Sequence, residues 1–284
     1  MTNKAESKNE FTLNGAGLGY HSAQTAPAAP LPRAERASGL SRARTFIKPV
    51  PFNGLLSNKL LTALPGDDFA RLLPHLEPVS FACGEDLYGF EESIRDVYFP
   101  ESLVISHLHI LEDGSTTEAA LIGREGMTGL SAIFAAPPPT HWTQAIITGT
   151  ALRMNAEVLR QEFARGQAMQ RLLLSYAGAR IAHLSQRAVC NGRHTVVERL
   201  CSWLLLLHDR VGDNRLPLTQ EQISRHLGTR RAGITCAANT LRDRQIINYS
   251  RGQIRILDRR GLELAACECY RALNQQNLTT AHRH

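Results

Sequence analysis

The chain has 284 residues, of which 43% are hydrophobic, and carries a net charge of +6. That apolar fraction is enough for at least one packed core, which excludes a globally disordered chain, and the length suits one large domain or two modest ones with tails. No run approaches the roughly 18 apolar residues that a membrane crossing needs, and the first residues have no apolar stretch that would make a secretory signal, so the expectation is a soluble cytoplasmic protein.

The six cysteines, at 83, 190, 201, 236, 267 and 269, are spread through a chain of ordinary apolar content. That usage predicts reduced, mostly buried thiols rather than a disulfide scaffold. Charge is distributed unevenly. Residues 51–192 carry ten basic against fifteen acidic side chains, and residues 193–260 carry thirteen against six. A basic segment behind an acidic one points to an anionic partner for the former, most simply nucleic acid.

In chain order, residues 1–50 read as a disordered tail rich in Ala, Pro, Ser and Gly, without a sustained period. Residues 58–76 have helical spacing, first through Leu60, Leu61 and Leu64, then through Phe69, Leu72, Leu73 and Leu76. From Val79 to Met154 short apolar runs alternate with turn signals. The runs 96–99, 103–111, 117–122, 144–147 and 151–154 read as strands, with Glu112-Asp113-Gly114 as a hairpin tip. Several short strands with regular turns predict a β-sandwich or barrel, assigned here to a domain over 51–155.

Helical period returns from about Ala156. Leu172, Leu173, Tyr176, Ala177, Ile181, Leu184 and Ala188 form a stripe with steps of three and four, either a dimer seam or a face packed on the β domain. Asn191-Gly192 is expected to end this linking segment, 156–191, before a further helix through Val196, Leu200, Trp203 and Leu207. The segment 192–260 then has the spacing of a winged helix-turn-helix. Thr219 and Gln222 can form a capping box, Ile223 and Leu227 a buried face, and Gly228 the tight turn. A second helix is expected from about Arg230 to Gln245 with Ile234, Ala237, Ala238 and Leu241 inward. A two-stranded wing turning at Arg251-Gly252 follows, and residues 261–284 close the chain with a helix and tail.

With these parts in this order, the chain resembles the Crp/Fnr family of bacterial transcription regulators over about residues 55–260. The most specific stretch is Leu218-Thr-Gln-Glu-Gln-Ile-Ser-Arg-His-Leu-Gly228-Thr-Arg-Arg-Ala-Gly-Ile-Thr. It has the family's Leu/Ile-Thr opening, its turn glycine and an Arg early in the recognition helix. Asp96-Val-Tyr-Phe-Pro100 and Gly123-Arg-Glu-Gly-Met127 look like the strand and glycine turn of the sensory domain. The resemblance implies an α+β chain: an N-terminal β-roll of the cyclic-nucleotide-binding type, a long dimerisation helix and a C-terminal winged helix-turn-helix. It further implies a homodimer on a two-fold-related site in double-stranded DNA, and RNA polymerase as a partner if the protein activates.

The candidate DNA-binding residues follow from chemistry and position together. Arg230 and Arg231 open the second helix, and an arginine there can bond guanine O6 and N7 with its fork of donors. Arg231 is the first choice for base reading. Thr235, one turn on, faces a base or a phosphate. Thr219 and Gln220 start the preceding helix, where backbone N–H groups meet phosphate, and Arg225 and Arg251 are placed for flanking phosphates. Ala232 stands where well-studied relatives have Glu, and Cys236 where they often have Arg, so the family's best-known DNA consensus does not carry over.

The sensory half departs further. The stretch that would hold a cyclic phosphate reads Pro139-Thr-His-Trp-Thr-Gln-Ala145 and lacks the arginine that would offset phosphate desolvation. No effector is therefore named, and a small-molecule effector stays open. Residues 1–82 contain no cysteine for an iron–sulfur cluster. His107 and His109 read as ordinary strand histidines rather than haem or metal ligands. Cys267 and Cys269, two apart on an expected helix, should diverge and suit neither a disulfide nor zinc. No catalytic residue, metal site or cofactor is assigned. The weighed alternatives are a ligand- or partner-binding module with a degenerate helix-turn-helix and, more remotely, a metal-dependent hydrolase built on His183, His194 and the His208-Asp209 pair.

Overall fold

The computed structural model describes residues 48–50, 56–134 and 136–279. The expected tail therefore lies almost wholly outside the described residues. After the short strand β1 (Lys48–Pro49), the helices α1 (Lys59–Thr62) and α2 (Gly66–Leu72) and a 3-10 turn (Leu73–His75) lead into the β domain. Asn58 fixes this entry. Its side chain accepts from the Leu60 and Leu61 amides and donates to the Pro100 and Gly126 carbonyls, so a fully buried amide is satisfied at both ends.

Seven further strands build two four-stranded antiparallel sheets. These are β2 (Glu77–Phe81), β3 (Asp86–Tyr88), β4 (Asp96–Pro100), β5 (Val104–Ile110), β6 (Thr116–Ile122), β7 (Trp142–Ile147) and β8 (Gly149–Asn155). The sheet orders are β1-β2-β8-β4 and β3-β7-β5-β6. Phe81, Tyr98, Leu103, Ile105 and Ile122 pack between them, the alternation expected of a β-roll interior. All five strands read from the sequence are present, and the Asp113-Gly114 hairpin tip joins β5 to β6. Strands β2 and β3 escaped the sequence reading because Pro78, Gly84 and the acidic residues around them break the apolar alternation.

Three helices follow: α3 (Ala156–Ala164), α4 (Gln167–Arg193) and α5 (Val196–Val211). The expected break at Asn191-Gly192 is displaced. Helix α4 runs through both residues and ends at His194, whose backbone is extended, because Thr195 and Glu198 form a capping box that starts α5. The predicted α4 stripe divides in two. Leu172, Leu173 and Tyr176 are buried against the β domain, whereas Ile181 and Leu184 are exposed.

The C-terminal half comprises β9 (Arg215–Leu216), α6 (Gln220–Leu227), α7 (Arg231–Asp243), β10 (Ile247–Ser250), β11 (Gln253–Ile256), α8 (Arg259–Ala265) and α9 (Cys269–Thr279). The wing has three strands rather than the expected two, since β9 pairs with β11. Trp203, Leu204 and Leu207 of α5 pack with Ile223, Leu227, Ile234 and Leu241 in one core. Among the described residues no helix is long and apolar enough to cross a membrane.

Candidate nucleic-acid interface

The helix-turn-helix forms as its local sequence dictates. The Thr219 side chain accepts from the Gln222 amide, and the Gln222 side chain accepts from the Thr219 amide, closing a capping box at the start of α6. Gly228 takes a left-handed conformation (φ 57°) that turns the chain towards α7. A side chain could not be added there, as a Cβ would meet Thr117 Oγ1 at 2.7 Å. Ile234, Ala237, Ala238 and Leu241 face inward as expected, which leaves the opposite side of α7 to solvent.

On that side stand Arg230, the N-cap, and Arg231, the first helical residue, both exposed. No side-chain hydrogen bond or ion pair ties either guanidinium to a described residue. Thr219, Arg225 and Arg251 are exposed too, with Arg225 3.3 Å from Glu221 one turn earlier. Gln220 and Thr235 are placed differently. The Thr235 hydroxyl donates to Gln220 Oε1 (2.9 Å) and the Gln220 amide donates to Tyr249 Oη (3.3 Å), so this pair braces α6, α7 and the wing against one another.

The wing adds residues that were missed. Arg215 and Arg255 lie directly opposite each other on neighbouring strands, and both are exposed. They line a shallow cleft with Asn248, Ser250 and Gln253. Like charges in register repel, and two isolated arginines in separate strands gave no linear signal. At the wing tip, Arg251 (φ 47°) and Gly252 (φ 77°) are both left-handed, the pattern of a type I′ turn, in which a non-glycine first residue is under strain.

The helix-turn-helix is docked on the β domain through a buried polar network. Glu118 of β6 accepts from Ser106 Oγ (2.8 Å), His226 Nδ1 (2.9 Å), Trp203 Nε1 (3.0 Å) and an Arg187 guanidinium nitrogen (3.1 Å). One carboxylate thus joins β5, β6, α4, α5 and α6. Burial pushes its pKa up, but the bonds from His226, Arg187 and Ser106 outweigh burial and hold it below the usual carboxylate range. A second buried pair, Arg210 Nε to Glu125 Oε1 (2.8 Å), ties α5 to the Gly123–Gly126 turn. Nothing in the linear sequence singles out Glu118 and His226, since only the fold brings them together across 108 residues.

Inside the β domain, His107 bonds Thr128 (2.9 Å) and stacks on His141 with centroids 4.3 Å apart, and His109 lies beside the same ring at 5.5 Å. Burial lowers the pKa of His107 far below its ordinary value and brings that of His141 to about 4. His107 and His141 are therefore neutral near pH 7 and offer no cation for a phosphate.

The groups proposed for a hydrolase do not converge. Asp209 accepts from Arg259 (2.7 Å) and Tyr270 (2.9 Å), and His208 Nε2 bonds Asn214 (2.8 Å). His194 instead joins Cys190, Cys267 and Cys269. The expectation that Cys267 and Cys269 share a helix and diverge is corrected. Cys267 lies in the turn before α9 and Cys269 begins that helix, so the two thiols point to one place.

A β-roll, a long helix and a winged helix-turn-helix give the chain a two-part construction. The description of a Crp-like helix-turn-helix domain matches residues 198–265. Among solved structures, FixK2 from Bradyrhizobium japonicum is 20% identical with a TM-score of 0.59, over 68% of this chain and 98% of that one. A putative transcriptional regulator of the Crp/Fnr family from Eubacterium rectale is 19% identical with a TM-score of 0.56, over 72% and 96%. CLP, a c-di-GMP-responsive global regulator from Xanthomonas campestris, is 14% identical with a TM-score of 0.53, over 68% and 99%. No curated protein matches the chain in sequence. Residues 198–265 thus match a Crp-like helix-turn-helix domain, and the fold of the chain is that of these solved regulators.

Proposed function

We propose that the protein is a cytoplasmic, non-enzymatic homodimer that reads a two-fold-related site in double-stranded DNA. The observation that carries this reading is the free, exposed pair Arg230 and Arg231 at the start of α7. In the major groove, Arg231 bonds a guanine edge and Arg230 a base or the adjoining phosphate. Thr219 and the start of α6 meet the backbone, with Gln220 and Thr235 holding the two helices at their angle. Arg251 at the strained wing tip and the paired Arg215 and Arg255 take flanking phosphates, which relieves their mutual repulsion.

Dimerisation is supported by α4. Leu174, Ile181, Leu184 and Val189 are 49%, 67%, 42% and 54% exposed. Leu174, Ala177, Ile181, Leu184 and Ala188 repeat with steps of three and four, the spacing of a coiled-coil seam. Pairing there sets two copies of α7 in successive major grooves, about 34–36 Å apart. The β-roll then acts by biasing the geometry of α4 and its docking to α6, so that an effector shifts the population able to span one turn of DNA. RNA polymerase is a further partner if the protein activates.

Selection of bound sites from a random duplex pool tests the reading. Enrichment of two inverted half-sites with centres about 10–10.5 base pairs apart is the expected result. Failure to enrich any sequence, or enrichment of a single unpaired half-site, overturns it.

A further inference from the structure

Four side chains that DNA binding does not use meet where the linking helix hands over to the DNA-binding half. Cys190 lies in the last turn of α4, His194 ends that helix, Cys267 lies in the turn between α8 and α9, and Cys269 opens α9. One ligand atom from each lies within 4.8 Å of all the others. Cys190 Sγ and Cys267 Sγ are 3.6 Å apart, as are Cys269 Sγ and His194 Nδ1. With metal–sulfur bonds of about 2.3 Å, sulfur atoms at the corners of a tetrahedron sit about 3.7 Å apart. Two of the six edges of the cluster are close to that length, and the other four are no longer than 4.8 Å.

The surroundings fit the same chemistry. All three cysteines are buried, and the His194 side chain is 14% exposed. His194 Nε2 faces Glu268 Oε2 at 3.2 Å, which turns the Nδ1 lone pair towards the sulfurs in the carboxylate–histidine arrangement of metal sites. Gln186 Nε2 donates to Cys269 Sγ (3.0 Å), and Ser202 Oγ lies 3.0 Å from Cys267 Sγ, so polar hydrogens are at hand for thiolate charge. A disulfide would use two of the four groups and leave a thiol and an aimed imidazole without a role. An iron–sulfur cluster, several atoms across, would have to drive the ligands apart.

We propose that Cys190, His194, Cys267 and Cys269 form a closed tetrahedral site for one divalent ion of the zinc class. Binding displaces the thiol protons to solvent and leaves three thiolates and one neutral imidazole on the ion. The ion clamps the end of α4 to the start of α9, and so fixes the exit of the linking helix against the C-terminal half. The site is independent of the DNA-binding reading, because its occupancy is measured without DNA.

The test uses the full reduced chain, stripped with a chelator and titrated with Co2+, then with Zn2+. One equivalent of Co2+ should give intense thiolate-to-cobalt absorption and strong tetrahedral ligand-field bands, both bleached by one equivalent of Zn2+. If stripping unfolds the chain, refolding with one equivalent of Co2+ gives the same readout. Cys269→Ser should lower the charge-transfer intensity by about a third and weaken Zn2+ binding at least about tenfold, the scale on which a lost partner of a metal site is felt. His194→Gln leaves all three thiolates and should weaken binding with little loss of that absorption, while Cys83→Ser changes nothing. A parent chain that shows no thiolate–cobalt absorption, a Cys269→Ser spectrum equal to the parent's, or a Cys190–Cys267 disulfide formed in the presence of Zn2+ under anaerobic conditions overturns the proposal.

Discussion

Replacing Glu118 by Gln removes one charge from the network between the two halves while keeping its shape. The carboxylate is fully buried and receives four donors from four other elements. The amide can keep its oxygen on the side of Trp203 and Arg187, but its NH2 then faces Ser106 and His226, and Arg187, 8% exposed, loses its counter-charge. Breaking a buried pair from one side costs about 3–5 kcal/mol. For a chain of this size, each kcal/mol moves Tm by about 2–4 °C, so Glu118→Gln should lower Tm by roughly 6–20 °C in calorimetry. The double variant Glu118→Leu with Arg187→Leu should recover at least half of that loss, because neither charge is then stranded. If Glu118→Gln stays within about 2–4 °C of the parent, equivalent to about 1 kcal/mol, the carboxylate does not hold the halves together.

Two further outcomes follow from the same structure. His141 and His183 are held neutral by burial, with pKa values brought to about 4 and about 2; His109 adds to the effect on His141, and Arg180, Arg210 and Arg187 to that on His183. The unfolded chain therefore takes up their protons first, and stability falls as pH drops below the ordinary histidine value of about 6.5, by up to about 2 kcal/mol per histidine by pH 5. Urea unfolding at pH 7 and pH 5 reads this, and equal midpoints contradict it. Ile181→Asp with Leu184→Asp places charges on the exposed α4 face and should convert a dimer to a monomer in sedimentation. An unchanged mass shows that the seam lies elsewhere.

The sequence revealed most where a local rule is strong. Thr219 and Gln222, Gly228 and the inward row Ile234, Ala237, Ala238 and Leu241 are all fixed within a few residues of one another, and their structure follows directly. The alternating strands β4 to β8 were legible for the same reason. Strand β2 carries a proline and β3 is only three residues long, so neither shows a period. The α4 stripe was visible but not its division, since burial depends on what the β domain covers. Glu118 and most of its donors, the facing arginines of the wing, and the pairs Cys190–His194 and Cys267–Cys269 are separated by tens of residues. Their chemistry exists only after the chain has folded.

The proposed role of the arginines opening α7 is to read base edges. Binding of the parent and of Arg231→Ala to the selected duplex and to random duplex, compared by fluorescence anisotropy at matched salt, tests it most directly. The expected result is a loss of about 1–3 kcal/mol of discrimination per lost guanine contact, felt in both half-sites of the proposed dimer. Binding to random DNA should weaken far less, and the mass of the variant should match that of the parent. A variant that distinguishes the selected site as well as the parent does would show that Arg231 is not the reader.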